Sequence, residues 1–142
     1  MKLIKDEYGE EQLTIENEDD YMIFAEAFQR LQERAAPIAT AMNKLYGRGG
    51  RIDPDEIYME DGLLFYDYDE GCCGCYETHS ELIPSSYLFD PEWLEDAKAT
   101  IAAKEEEERQ KAERKRLKAE ADRKEREYKQ YLKLKEQYEG GF

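Results

Sequence analysis

Residues 57–68 read Ile57-Tyr58-Met59-Glu60-Asp61-Gly62-Leu63-Leu64-Phe65-Tyr66-Asp67-Tyr68. Two β-prone runs meet at Asp61-Gly62, a pair suited to the positive φ that a type I′ turn requires at both central positions. The stretch is therefore expected to be a β-hairpin. A second turn through Glu70-Gly71-Cys72-Cys73-Gly74 leads into Cys75-Tyr76-Glu77-Thr78-His79-Ser80-Glu81-Leu82-Ile83. Together the three runs predict an antiparallel meander. So small a sheet needs a helix against its apolar face to persist in water.

That helix is legible upstream. After Asn17, a candidate N-cap, the acids Glu18, Asp19 and Asp20 fall at the end of a helix that favours negative charge. An apolar seam follows at Tyr21, Phe24, Phe28, Leu31, Ala35, Ile38, Met42 and Leu45, alternating steps of three and four. Such spacing puts all eight on one face. Pro37 lies inside the pattern and predicts a kink or a short break, with the seam in phase across it. The helix is expected to end near Tyr46, stopped by Gly47, Gly49 and Gly50. Gly47-Arg48-Gly49-Gly50-Arg51 lacks the ending of a phosphate loop and reads as a flexible connection. Before the helix, Leu3-Ile4 and Leu13-Thr14-Ile15 flank Tyr8-Gly9, which predicts a small N-terminal hairpin.

Downstream, Ser85 to Leu88 predicts a helical turn, and Phe89-Asp90-Pro91-Glu92-Trp93-Leu94 carries a helix start: Asp90 as N-cap, Pro91 as first helical residue, Phe89 and Leu94 as a hydrophobic staple. No further Gly or Pro occurs until Gly140, so one helix of about 48 residues, about 70 Å long, is expected. Its middle, Lys104 to Arg116, holds Ala112 as a single apolar residue and must be solvated. Pairs at helical spacing, Glu105 with Arg109, Glu107 with Lys111, Glu120 with Lys124 and Glu125 with Lys129, support it. Leu117, Ala121, Lys124, Tyr128, Tyr131, Lys135 and Tyr138 form a weak heptad seam, and the end is expected to fray toward Gly140-Gly141-Phe142. The expected fold is α+β: a small antiparallel sheet, the N-terminal hairpin plus the three-stranded meander, packed on one kinked helix, with a long charged C-terminal helix. An acidic body over residues 1–100 and a charged helical tail over 101–142 are the expected units.

Charge narrows the function. The 142 residues carry 21 Lys plus Arg against 35 Asp plus Glu, a net −14. Up to residue 100 there are 8 basic and 24 acidic residues, a balance of −16, and beyond it 13 and 11, a balance of +2. A body so charged repels nucleic-acid phosphates and anionic lipid, and draws basic protein surfaces inward. With no long apolar run or leader-like start, a cytoplasmic, soluble chain is expected, binding neither nucleic acid nor membrane.

Little in the chain suggests catalysis. Cys72, Cys75 and His79 supply three of the four ligands that structural zinc needs, without a second Cys pair, so they are expected to be turn residues. On strand alternation Cys75 and His79 lie about 13 Å apart, too far for proton transfer. Asp67-Tyr68-Asp69-Glu70-Gly71 places its glycine too early for a calcium loop and lacks the closing Glu. No cofactor is expected. The same carboxylates sit beside tyrosines, which give rigid amphipathic contact area. Asp67, Asp69 and Glu70 with Tyr66 and Tyr68 are the candidate partner-binding residues, because a hairpin loses little entropy on docking.

At Ile83-Pro84-Ser85-Ser86-Tyr87-Leu88-Phe89-Asp90-Pro91-Glu92-Trp93, followed by its Glu/Lys/Arg/Ala helix, the chain resembles small proteins encoded by tailed bacteriophages. The resemblance implies a setting in which small acidic proteins bind and disable host machinery. It carries no functional residues. A non-enzymatic interaction module is therefore expected, an inhibitor of a host or defence-system protein that occupies a basic, nucleic-acid-binding surface. The alternative is an assembly or scaffolding component that oligomerises through its helices. A homodimer is also expected, because the first-helix seam offers more apolar surface than three strands can cover.

Overall fold

The computed structural model describes residues 1–140, and of Cys72 the backbone alone. The chain divides into two compact units, Met1–Lys98 and a second that begins at Ala99. The fold is α+β. Strands β1 (Lys2–Lys5) and β2 (Glu11–Thr14) precede helix α1 (Glu18–Leu45); a 3-10 turn, Pro54–Glu56, leads into β3 (Ile57–Glu60), β4 (Leu63–Cys72) and β5 (Cys75–Ile83); helices α2 (Ser85–Phe89) and α3 (Pro91–Glu139) follow.

Local chemistry accounts for the element limits. The Asn17 side chain accepts from the Asp20 N–H at 2.8 Å and so caps α1. The helix passes unbroken through Pro37, whose missing N–H removes one hydrogen bond without ending the ladder. Gly47, at φ +73, turns the chain out of the helix. Asp61 and Gly62 take φ of +52 and +76, and Glu60 pairs with Leu63, so the expected two-residue I′ turn is formed. The second turn is tighter than expected. Cys72 pairs with Cys75, leaving only Cys73 and Gly74, at φ +59 and +89, to close it.

The strands form two separate sheets, β1-β2 and β3-β4-β5, rather than one. Only the meander supplies the core. Ile57, Leu64, Tyr66 and Ile83 pack with Ala35, Ala36, Ile38, Ala39 and Met42 of α1, together with Ile52 and Leu88. The run of alanines on α1 lets the helix approach closely. Two polar ties fix the register of helix on sheet: Gln32 Nε2 donates to the Ile57 carbonyl at 2.7 Å, and the Ile52 N–H donates to Thr40 Oγ1 at 2.9 Å.

The α1 seam is therefore covered over half its length. Ala35, Ile38 and Met42 are buried, Phe28 and Leu31 partly so, while Tyr21 and Phe24 are exposed. The first hairpin does not close that gap. It is joined to α1 by an ion pair, the Met1 ammonium to Asp20 Oδ1 at 2.8 Å, and by the Glu16 N–H donating to Asp20 Oδ2 at 3.2 Å.

At the start of α3 the Glu92 N–H donates to Asp90 Oδ1 at 2.9 Å, the expected cap. The expected staple gives way to another arrangement. Phe89 stays exposed under the Arg34 guanidinium, 5.3 Å from its ring, whereas Leu94 packs toward the core and Trp93 stacks on Tyr87 at 4.1 Å.

The unit from Ala99 is helix through Glu139. Its side chains from 102 to 140 are exposed, Glu120 slightly less so. Expected pairs form at Glu107–Lys111, Glu120–Lys124 and Glu125–Lys129, at 3.2 to 3.5 Å, while Arg109 takes Glu106 rather than Glu105. The last two residues of the expected frayed end lie outside the described residues.

Candidate functional site

The meander has two chemically distinct faces, set by strand alternation and register. Ile57, Tyr66 and Glu81 lie opposite one another, as do Tyr68 and His79, and Leu64 and Ile83. These turn toward α1. Tyr58, Phe65 and Leu82 align on the other face, followed by Asp67 with Ser80 and by Asp69 with Thr78, Tyr76 lying one pair beyond.

On that outer face the carboxylates are held by short hydrogen bonds. Ser80 Oγ donates to Asp67 Oδ1 at 2.8 Å, and the Tyr58 hydroxyl lies 2.8 Å from both. Thr78 Oγ1 donates to Asp69 Oδ1 at 2.8 Å. Among the described residues only Oδ1 of each Asp is engaged, which leaves Oδ2 for an outside donor. Successive outward positions lie about 7 Å apart along a strand, so two carboxylates stand in a row with fixed rotamers. Tyr58 is perturbed accordingly: its Ser80 hydrogen bond pulls the phenol down, but desolvation and the Asp67 carboxylate beside it push it above its ordinary range. Around the row, Leu63, Leu82 and Tyr76 are exposed. No Lys or Arg occurs at an outward position of the three strands.

The inner face carries a different cluster. Arg48 lies over Tyr68, its guanidinium carbon 3.6 Å from the ring centroid and 5.0 Å from that of Tyr46, and its Nη1 is 3.6 Å from Glu81. His79 stacks on Tyr68 at 5.5 Å, its Nε2 at 3.6 Å from Glu70 and 3.5 Å from Glu77. Burial, with the Glu81 charge nearby, raises the Tyr66 phenol to about 12, so it stays neutral at any ordinary pH. Between residues 46–52 and β4 lies a groove of about 500 Å³, lined by Arg48, Arg51, Tyr68 and Glu70 among others. Its arginines lie beside carboxylates, Arg48 Nη1 3.6 Å from Glu81 and Arg51 3.1 Å from Asp53, and Arg48 Nη1 is buried with no hydrogen-bond partner among the described residues.

The five expected partner-binding residues thus divide. Asp67 and Asp69 share the exposed outer face. Tyr66 is fully buried and leaves the set. Tyr68 and Glu70 turn to the inner face, where Tyr68 supports Arg48. Sequence reasoning missed Ser80 and Thr78, although the alternation Tyr76, Thr78, Ser80, Leu82 counted back from the Cys73-Gly74 turn pairs them with the two aspartates. It also missed Arg48, which sits in the run read as a connection.

Of the Cys72, Cys75 and His79 set, Cys75 is exposed and His79 Nε2 lies 3.6 Å from Glu70 and 3.5 Å from Glu77, while the Cys72 side chain lies outside the described residues. Among the described residues no three His, Cys, Asp or Glu are grouped to hold a metal ion, and no helix is long and apolar enough to cross a membrane. Compared with protein-family models, curated proteins and solved structures, the chain matches none.

Proposed function

We propose that this chain is a non-enzymatic interaction module that docks the outer face of its meander onto a basic surface of another protein. The observation that supports it best is the pair Asp67 and Asp69, oriented by Ser80 and Thr78 with one oxygen each uncommitted among the described residues. Carboxylates held in place lose little entropy when a guanidinium or ammonium reaches them, and the flanking Leu63, Leu82 and Tyr76 supply apolar area. A basic surface that ordinarily holds nucleic acid is the natural counterpart, because a net charge of −14 steers the chain toward it. Occupying such a surface inhibits its owner. The phage-like segment at 83–93 points to a host or defence-system protein in the cytoplasm as that owner.

Capture from host lysate at low and high salt, with wild type and the double variant Asp67→Asn/Asp69→Asn, tests the reading. The wild type should retain a basic protein at low salt and release it as screening increases. The variant keeps shape and hydrogen bonds but loses both charges, and should bind at least about tenfold more weakly. Equal retention by the variant, or no retained protein at low salt, would end the proposal.

A further inference from the structure

Strand β4 outruns its neighbour on one side. β3 pairs with it only from Leu63 to Tyr66, whereas β5 accompanies it to Cys72, so from Asp67 onward one edge of β4 has no adjoining strand. The two-residue turns fix which backbone groups that edge presents. Glu60 and Leu63 flank one turn and Cys72 and Cys75 the other, and the flanking pair of such a hairpin is hydrogen-bonded. Counting by two from those pairs, even-numbered residues of β4 bond to β5, while odd-numbered ones direct their N–H and C=O toward β3 and, past its end, away from the sheet. Asp67, Asp69 and Gly71 therefore hold open ladder positions. Among the described residues no backbone hydrogen bond outside the ladder reaches them.

This edge forms one wall of the groove of about 500 Å³. Consecutive residues from Asp67 to Gly71 line it, together with Glu56 and residues of the 46–52 run. Five residues of strand span about 13 Å, and an added strand lies about 4.8 Å from its neighbour. A separate observation points to the same kind of occupant. Asn43, 2 % exposed, borders the groove, and its Oδ1 has no hydrogen-bond partner among the described residues. A peptide N–H is the donor it lacks.

We infer, resting on the docking reading above, that the groove takes an extended segment of the basic partner, which adds antiparallel to the open edge of β4 and carries Lys or Arg at every second residue. Main-chain bonds supply the affinity in this mode of recognition, and alternate side chains the selectivity. Residues opposite one another in an antiparallel pair share a face. Those opposite Asp67 and Asp69 therefore place their side chains on the outer face of the meander. There both carboxylates are bound through Oδ1 to β5, on the far side of β4 from the open edge, and Oδ2 is left for a cation that arrives along that edge. The charge of the groove agrees. Glu56, Asp67, Asp69 and Glu70 line it against Arg48 and Arg51, and each arginine has a carboxylate of its own beside it, Glu81 and Asp53. An acidic segment would meet a net negative wall, and a second copy of this chain, itself at −14, is repelled in the same way.

The peptide Lys-Val-Lys-Val-Lys, blocked at both ends and titrated into the full chain at low salt, is the probe. Its binding should slow hydrogen exchange at the Asp67 and Asp69 N–H groups, which gain partners. Methylating each lysine N–H of the peptide keeps its charge and deletes the donors that face β4, and should weaken binding at least about tenfold. Gly49 lines the groove at an ordinary φ with open space around it, so Gly49→Phe crowds the groove and leaves both aspartates in place. With its fold checked by circular dichroism, that variant should bind the peptide at least about tenfold more weakly and retain less of the basic lysate protein. Retention lost in Asp67→Asn/Asp69→Asn but kept in full by Gly49→Phe would leave the outer-face docking standing and overturn strand addition alone. An unmethylated peptide that does not bind, a methylated one that binds equally, or unchanged exchange at Asp67 and Asp69 would also overturn it.

Discussion

Gly71 shows how one residue can be required for two reasons at once. It adopts φ +153, and a Cβ built on it would collide with the Cys75 carbonyl oxygen across the ladder. Gly62, at φ +76, has open space around it. The two separate steric exclusion from backbone strain. Gly62→Ala should cost about 1 kcal/mol, the strain of a left-handed residue, while Gly71→Ala should cost on the order of 2–3 kcal/mol because the ladder must shift as well. Urea unfolding checks both, and equal costs would show that the ladder yields freely. Asp20 is the second such residue. Its carboxyl is held below the usual range first by the Met1 ammonium and then by the Glu16 N–H. A folded value below the unfolded one means that the ionised form favours folding, so the contribution is complete above about pH 4 and is lost as pH falls through the folded value. Amide protection in the first hairpin, taken relative to the intrinsic exchange rate at each pH, should stay high at neutral pH and fall only in strong acid. In Asp20→Asn it should be low throughout; high protection in that variant would show that the hairpin is held by other means.

Among the elements, α1 and α3 use charge in opposite ways. On α1 charges flank an apolar stripe, with acids in the first turn and Glu26 paired to Arg30 in the middle; on α3 they alternate around a helix with scarcely any stripe. The acids Glu105, Glu106, Glu107 and Glu108 are exposed, and of them Glu106 and Glu107 pair with Arg109 and Lys111 at 3.0 and 3.3 Å. Each pair contributes a few tenths of a kcal/mol to the helix. Replacing all four by Gln should therefore leave helix content nearly unchanged and partner retention intact, because Gln keeps helix propensity. A large loss of retained partner in the four-Gln variant would move the docking surface from the meander to α3.

For the molecule as a whole, two units of different cooperativity follow from where the core lies. The tightly packed residues end at Ala97, and Trp93, stacked on Tyr87, reports the body. From residue 102 onward the side chains are exposed, Glu120 slightly less so, so the helix there melts by fraying, with little heat per residue. On heating, the helix signal in the far ultraviolet should decline gradually before the Trp93 signal in the near ultraviolet breaks in one step. Coincident transitions would contradict the division into units.

Much of this was legible in the sequence because it is decided within a few residues. Asn17 caps the turn that follows it, Asp61-Gly62 closes the hairpin it sits in, and Asp90-Pro91 starts the helix it precedes; each is a local bond or torsion, indifferent to the rest of the chain. Alternation also separates Asp67 and Asp69 from Tyr66 and Tyr68, although treating the five as one surface passed over it. Tertiary structure alone decided which face of the meander meets α1, and therefore that Tyr66 is buried while the aspartates stay outside. It decided that Arg48, in a run of glycines, lies over Tyr68. And it decided how far along α1 the sheet reaches: the seam repeats evenly from Tyr21 to Leu45, but three short strands cover only part of that length, which leaves Tyr21 and Phe24 exposed.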